Sequence, residues 1–418
     1  MVDRNIDLII TDGCNLNCVY CYEHNKQARM MNFDTAKSII DAEFSKQFDF
    51  YNISFFGGEP FLNFPLIKRI SEYIWNSEMS SKCKISVSTN GTMFDSEIRS
   101  WLTQNSHRFF IGLSLDGTEE TQNRNRSNSS SLIDLDFILS LKEVYIKATV
   151  SPYTIDHLFD DVKYLYSLGV EFTINLALDY KWDMSNLDIF AKQMIKIVDW
   201  TLENDPPFLC RLLDVPMESV SPDSPKTVPK YCGAGTKLIT YDVDGRRYPC
   251  QMFAPMSFKK DQLAVEFTEY IDICALDKKC QVCPLVAGCP TCYGANYNEF
   301  GNLYSKNLFI CRTVIIQYIA ASNYWIRHIK AECDKHNRLP DEREAKILSR
   351  ARTVYEFYYN LIDDDSEYSI CKKFEKGLNN GSPDRNTMPS TKTISQADDY
   401  DVDSAPQFDF SIPFHTRR

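Results

Sequence analysis

From residue 6 to about 204, short apolar runs alternate with amphipathic stretches. The runs are Ile6–Thr11, Asn52–Phe56, Lys84–Ser88, Phe109–Leu115, Ile146–Ser151 and Val170–Leu178. Helix-like segments lie near 34–48, 64–79, 95–104, 133–143, 156–168 and 186–203. Strand–helix alternation at this spacing predicts parallel strands joined by right-handed crossovers. Six such units give an α/β fold, a partial (β/α)6 barrel rather than a closed eight-fold one. In folds of this type the chemistry sits beyond the C-terminal ends of the strands.

Three cysteines stand at that place. Cys14, Cys18 and Cys21 form a C-x3-C-x2-C run directly after the first apolar stretch. Three thiolates on one short loop can hold three irons of a 4Fe–4S cluster and leave the fourth iron open. An open iron can bind and reduce a small molecule. A zinc loop or unrelated buried thiols are the blander alternatives, but zinc sites usually pair C-x2-C elements to close a tetrahedron.

The chain of 418 residues is long enough for two domains. It has no run of about 18 apolar residues, so no membrane span is expected. Met1-Val2-Asp3-Arg4-Asn5 lacks the apolar core of a signal peptide, which predicts a cytoplasmic protein. Fifteen cysteines in that compartment read as metal ligands or reduced thiols. A net charge of −11 argues against general nucleic-acid binding.

A second motif, Gly57-Gly58-Glu59-Pro60, closes the second predicted strand. Paired glycines permit close approach to the backbone, and the carboxylate can accept hydrogen bonds from an amine. Ser88-Thr89-Asn90-Gly91 closes the third strand and Ser114-Leu115-Asp116-Gly117 the fourth. The ordered set resembles the radical S-adenosylmethionine (SAM) family, including the aromatic Tyr20 before the last loop cysteine. The resemblance implies that Gly57, Gly58, Glu59 and Pro60 bind the SAM amino group. It implies SAM contacts for Tyr20, Ser88, Asn90 and Ser114, and a carboxylate-binding role for Arg124 or Arg126.

A second cysteine set follows. It reads Cys232-x12-Gly245-x4-Cys250, then Cys280-x2-Cys283-x5-Cys289-x2-Cys292, then Cys311. This is similar to the SPASM module, which carries two further 4Fe–4S clusters. One spacing departs from the pattern, two residues instead of three between Cys289 and Cys292. A zinc ribbon is the rival, but seven cysteines exceed what one zinc needs. The resemblance implies Cys280, Cys283, Cys289 and Cys311 as ligands of an outer cluster, and Cys232, Cys250 and Cys292 of an inner one. No cysteine occurs from Lys226 to Tyr231. An open inner iron, Cys210 and Cys274 therefore remain alternatives for the fourth position. Cys83, Cys333 and Cys371 read as bystanders.

The domain expectation is a radical SAM barrel over 1–205, a Pro-rich linker over 206–231 and a small cysteine-rich Fe–S domain over 232–335. A helical segment over 336–371 and a disordered tail over 372–418 follow. The aromatic stripe of the C-terminal helices reads as core packing. The implied enzyme uses SAM and three 4Fe–4S clusters to modify a ribosomally made peptide, by a thioether or C–C cross-link. A reductant such as flavodoxin or ferredoxin would supply electrons, and the peptide would either dock elsewhere on the chain or be delivered by a separate leader-binding protein. The sequence singles out no catalytic base. An anaerobic sulfatase-maturating enzyme is the nearest alternative, and an Fe–S electron carrier the alternative of another class.

Overall fold

The computed structural model describes residues 3–364, apart from 179, 224, 260–266 and 269. Cys371 and the expected tail lie outside the described residues. All six anticipated strands form: β1 (Asp3–Thr11), β2 (Phe50–Gly57), β3 (Cys83–Thr89), β4 (Phe109–Ser114), β5 (Val144–Val150) and β6 (Phe172–Leu176). They pair in sequence order and in parallel. The connecting helices are α1 (Phe33–Phe44), α2 (Phe64–Trp75), α3 (Ser96–Asn105), α4 (Glu119–Asn125), α5 (Leu135–Leu139) and α6 (Leu158–Ser167).

Alternation along each strand explains how the sheet divides its two faces. Ile6, Leu8, Ile53, Phe55, Ile85, Val87, Ile111, Leu113 and Ile146 are buried to 1% exposure or less. Burying each such side chain is worth about 1.5–3 kcal/mol. The opposite face carries Asn5, Asp7, Asn52, Ser54, Ser86, Ser88, Ser114, Tyr145 and Lys147, all half-buried. One face is thus an oily layer and the other a polar one.

The sheet continues beyond the six expected strands. After β7 (Thr227–Pro229), β8 (Leu238–Tyr241) joins the free edge of β1 in parallel, and β9 (Arg247–Tyr248) adds antiparallel to β8. A two-residue or four-residue strand leaves too short an apolar run to be read as an edge addition. β10 (Tyr270–Asp272) pairs with β7.

The described residues form two compact units, one of 3–182, 227–276 and 290–307, the other of 183–226, 277–289 and 308–364. The expected boundaries at 205 and 232 do not coincide with these units, because β8 and β9 belong to the barrel sheet. The first unit also holds α9 (Tyr293–Phe300). The second holds α7 (Ser185–Asn204), α8 (Lys278–Gln281), α10 (Leu308–His336) and α11 (Glu342–Asp364). Its core joins Ile315, Tyr318 and Ile319 of α10 to Ala351, Val354 and Tyr355 of α11, with Met217, Val220 and Leu285. That is the packing role expected for the aromatic stripe. Among the described residues no helix is long and apolar enough to cross a membrane.

Candidate active site

The Cys14–Cys21 loop leaves the C-terminal end of β1, and β2 is laid directly against it. Gly57 has φ +143°, and a Cβ there would lie 2.3 Å from the Thr11 carbonyl oxygen. A Cβ at Gly58 would lie 2.2 Å from the Gly13 carbonyl oxygen and 2.7 Å from Cys14 Cβ. The paired glycines therefore let two backbones touch. Gly58 N donates to Thr11 O at 3.2 Å and Glu59 N to Gly13 O at 2.9 Å.

Glu59 is fully buried, and its carboxylate is shared between elements. Oε1 accepts from Thr89 Oγ1 at 2.7 Å and from Phe61 N at 3.1 Å; Oε2 accepts from Asn90 N at 2.7 Å. Burial pushes its ionisation up to about 7, against the pull of those donors. Pro60 opens the single 3-10 turn that Glu59 caps. Asn90 Nδ2 donates to Asn15 Oδ1 at 2.9 Å, joining the end of β3 to the cysteine loop.

A second lock holds the other side of the loop. Asp116, 1% exposed, accepts from Tyr20 Oη at 2.7 Å, Arg126 Nη2 at 2.9 Å, Asn125 Nδ2 at 3.1 Å and Thr149 N at 2.9 Å. Tyr20 thus commits its hydroxyl to the protein, and the Arg126 guanidinium lies 5.3 Å from its ring centre. Arg126 is buried and Arg124 exposed, which separates the two candidates. Arg126 Nε is buried with no hydrogen-bond partner among the described residues. A buried orphaned donor of this kind fits an anionic ligand group such as the SAM carboxylate.

Ser88 accepts from Lys147 Nζ at 2.8 Å on the polar face, and Ser114 is the register partner of Lys147. Asp116, Asn125, Thr89, Lys26 and Lys147 were not assigned roles from the sequence. Asp116 and Thr89 have a signal in the Ser-Leu-Asp-Gly and Ser-Thr-Asn-Gly motifs; Lys147 is placed by pairing across the sheet, Asn125 by α4 and Lys26 by the fold of the loop.

The loop thiols resist ionisation. Burial pushes Cys14 up to about 11 and raises Cys18 and Cys21 as well. Metal uptake must therefore release protons. Leu16 N donates to Cys14 Sγ at 3.5 Å.

The two further cysteine sets are each brought together within one unit. Cys250 feels Cys292 and Cys232 electrostatically, after a larger effect of burial that raises its ionisation. Cys283 likewise feels Cys289, Cys311 and Cys280 after burial. Among the described residues no three His, Cys, Asp or Glu side chains converge on a single-ion site. Cys274 is exposed and Cys210 buried.

The radical SAM superfamily profile matches residues 8–168. An uncharacterised protein of Methanocaldococcus jannaschii is 30% identical over 216 residues, 47% of this chain and 73% of that protein. A cysteine-type anaerobic sulfatase-maturating enzyme of Clostridium perfringens is 29% identical over 34% of this chain and 40% of its own length. Among solved structures, native anSMEcpe with bound AdoMet and Cp18Cys peptide superposes with a TM-score of 0.62. It is 19% identical and covers 80% of this chain and 99% of that one. Streptococcus suis SuiB bound to its precursor peptide SuiA gives 0.54 at 16% identity, covering 74% of this chain and 76% of that one.

The chain belongs to the radical SAM superfamily. It is an enzyme, and membership implies SAM and a 4Fe–4S cluster. Its fold is that of the two peptide-bound structures.

Proposed function

We propose that this chain modifies a ribosomally made peptide by radical SAM chemistry, forming an intramolecular thioether or C–C cross-link. When bound, SAM and the cluster supply a hydrogen-abstracting adenosyl radical. The protein holds and orients them. Cys14, Cys18 and Cys21 would ligate that cluster. Glu59, with Gly57, Gly58 and Pro60 fixing its place, would receive the SAM ammonium. Arg126 would hold the carboxylate, and Ser88, Asn90, Ser114 and Tyr20 would line the remainder. The carrying observation is that one cysteine loop is hydrogen-bonded on one side to the Glu59–Asn90 corner and on the other to Asp116 and Arg126.

Two auxiliary 4Fe–4S clusters complete the reading, the outer on Cys280, Cys283, Cys289 and Cys311, the inner on Cys232, Cys250 and Cys292. The separation of the seven cysteines into two electrostatically linked sets supports it. A peptide substrate is supported by the peptides in the anSMEcpe and SuiB structures. A formylglycine-forming activity is the second reading, supported by the similarity to the maturating enzyme. An electron carrier is set aside because it needs no SAM site. A cytoplasmic location, a flavodoxin or ferredoxin donor and a separate leader-binding protein belong to the same proposal.

The test is anaerobic incubation of the reconstituted, reduced protein with SAM and the peptides encoded beside its gene. Formation of 5′-deoxyadenosine with loss of two hydrogens from a peptide, and no aldehyde, is expected. Aldehyde formation at a sulfatase cysteine would establish the second reading instead.

A further inference from the structure

Lys26 is clamped over the cysteine loop. On one side, Asn25 N donates to Met256 O at 3.1 Å and Asn25 Nδ2 to Pro255 O at 3.0 Å. On the other, Gln27 N donates to Asp12 O at 3.3 Å. Between these anchors the Lys26 side chain turns back, and Nζ donates to Leu16 O at 3.2 Å. Leu16 is the residue whose N–H addresses Cys14 Sγ. One residue of the loop therefore bridges the ammonium and a thiol.

The surroundings are acidic. Asp12, Glu23 and Glu59 are all buried near the loop, and Cys21 Sγ lies 4.0 Å from Glu23 Oε2. Arg126, the other cation that reaches Cys18, is paired to Asp116. Lys26 lies within electrostatic reach of Cys14, Cys18 and Cys21 alike.

We propose that Lys26 is a positioning residue whose fixed positive charge, held at the Leu16 carbonyl, raises the reduction potential of the 4Fe–4S cluster on this loop. The proposal rests on the radical SAM reading of Cys14, Cys18 and Cys21. Reduction adds one negative charge to the cluster. A nearby cation in a partly desolvated site favours the reduced state, and cluster potentials respond to net charge and to hydrogen bonds around the sulfurs. The charge therefore eases reduction by an external donor and lessens the driving force for electron transfer into SAM.

The test is a redox titration of the fully reconstituted protein, read from the paramagnetic signal that changes when SAM is added. Lys26→Gln keeps a donor for the Leu16 carbonyl and loses the charge; Lys26→Arg keeps the charge. In Lys26→Gln the reduction equilibrium of that signal should weaken about tenfold, a downward shift of about 59 mV for a one-electron couple. Lys26→Arg should stay near the wild-type midpoint. Iron content is measured on every sample. An unchanged midpoint in fully loaded Lys26→Gln overturns the proposal. So does loss of this cluster's iron in both variants, which would assign Lys26 to assembly. A wild-type protein with no SAM-sensitive signal would remove the proposal together with the reading of the loop.

Discussion

The cysteine loop at the end of β1 and the outer cysteine set, both proposed as cluster ligands, are built differently. The loop is held by polar locks, with buried carboxylates Glu59 and Asp116 receiving seven hydrogen bonds between them. The outer set rests on apolar packing. Cys283, Cys289 and Cys311 lie against Met217, Val220, Leu285 and Tyr318, and a Cβ at Gly288 would meet Ser219 Oγ at 2.2 Å. Cys280–Cys289 carry the four-residue α8 and a 3-10 turn, whereas residues 12–29 carry no helix or strand, so the contrast lies in polar locks against apolar packing and not in secondary structure. The polar locks on the loop need no metal to form, whereas a cluster on the outer set would sit against the apolar core and add its binding free energy to the folding of that core.

The largest test of this contrast uses the cysteines. Cys18→Ala should abolish 5′-deoxyadenosine formation and remove roughly four irons, with a small change in melting temperature. Cys283→Ala should also remove roughly four irons but lower the melting temperature by several degrees more. Equal thermal losses, compared by calorimetry on anaerobic samples, would erase the distinction.

Next comes Asp116→Ala. It leaves the Arg126 charge buried and removes the acceptor of Tyr20, so a loss of about 3–5 kcal/mol is expected in denaturant unfolding. SAM binding should weaken with it. Tyr20→Phe removes one hydrogen bond to a carboxylate and should cost about 1.5–3 kcal/mol.

Gly58→Ala is a milder steric test. Its methyl would meet backbone at Gly13, which cannot rotate away, so about 1–3 kcal/mol of strain is expected. The readout is a weaker SAM affinity at normal iron content.

A last test concerns pH. Burial raises Asp7 from 3.8 to about 6, against Lys147, which lowers it. The folded protein thus holds this proton in a window where the unfolded chain has lost it. The contribution is full below about pH 4 and declines as pH rises through 6. Asp7→Asn should flatten that part of the stability–pH curve, measured by chemical denaturation. An unchanged slope would show that Asp7 is well solvated on the polar face.

Much of this architecture was legible because its signals are local. The six strands announce themselves as apolar runs, and Cys14, Cys18 and Cys21 as a spacing. What stayed hidden depends on pairing between distant segments. α4, Glu-Glu-Thr-Gln-Asn-Arg-Asn, has no apolar periodicity at all, yet it delivers Asn125 and leads into Arg126. Leu238–Tyr241 is a strand only because the edge of β1 is open to it. The sequence reads Gly57-Gly58 as space for a ligand, whereas a Cβ at either position would meet the backbone of the cysteine loop. A sequence shows that a side chain is missing, not which atoms occupy its place.

That close contact bears on how such a protein survives damage. Iron–sulfur centres are lost to oxygen, and a loop that collapsed on each loss would have to refold before it could be repaired. Here Thr11 and Gly13 are stitched to Gly58 and Glu59 by main-chain hydrogen bonds that involve no metal. Those bonds would hold the start of the loop in place whether or not a cluster is bound, so reloading would ask for less renewed folding there.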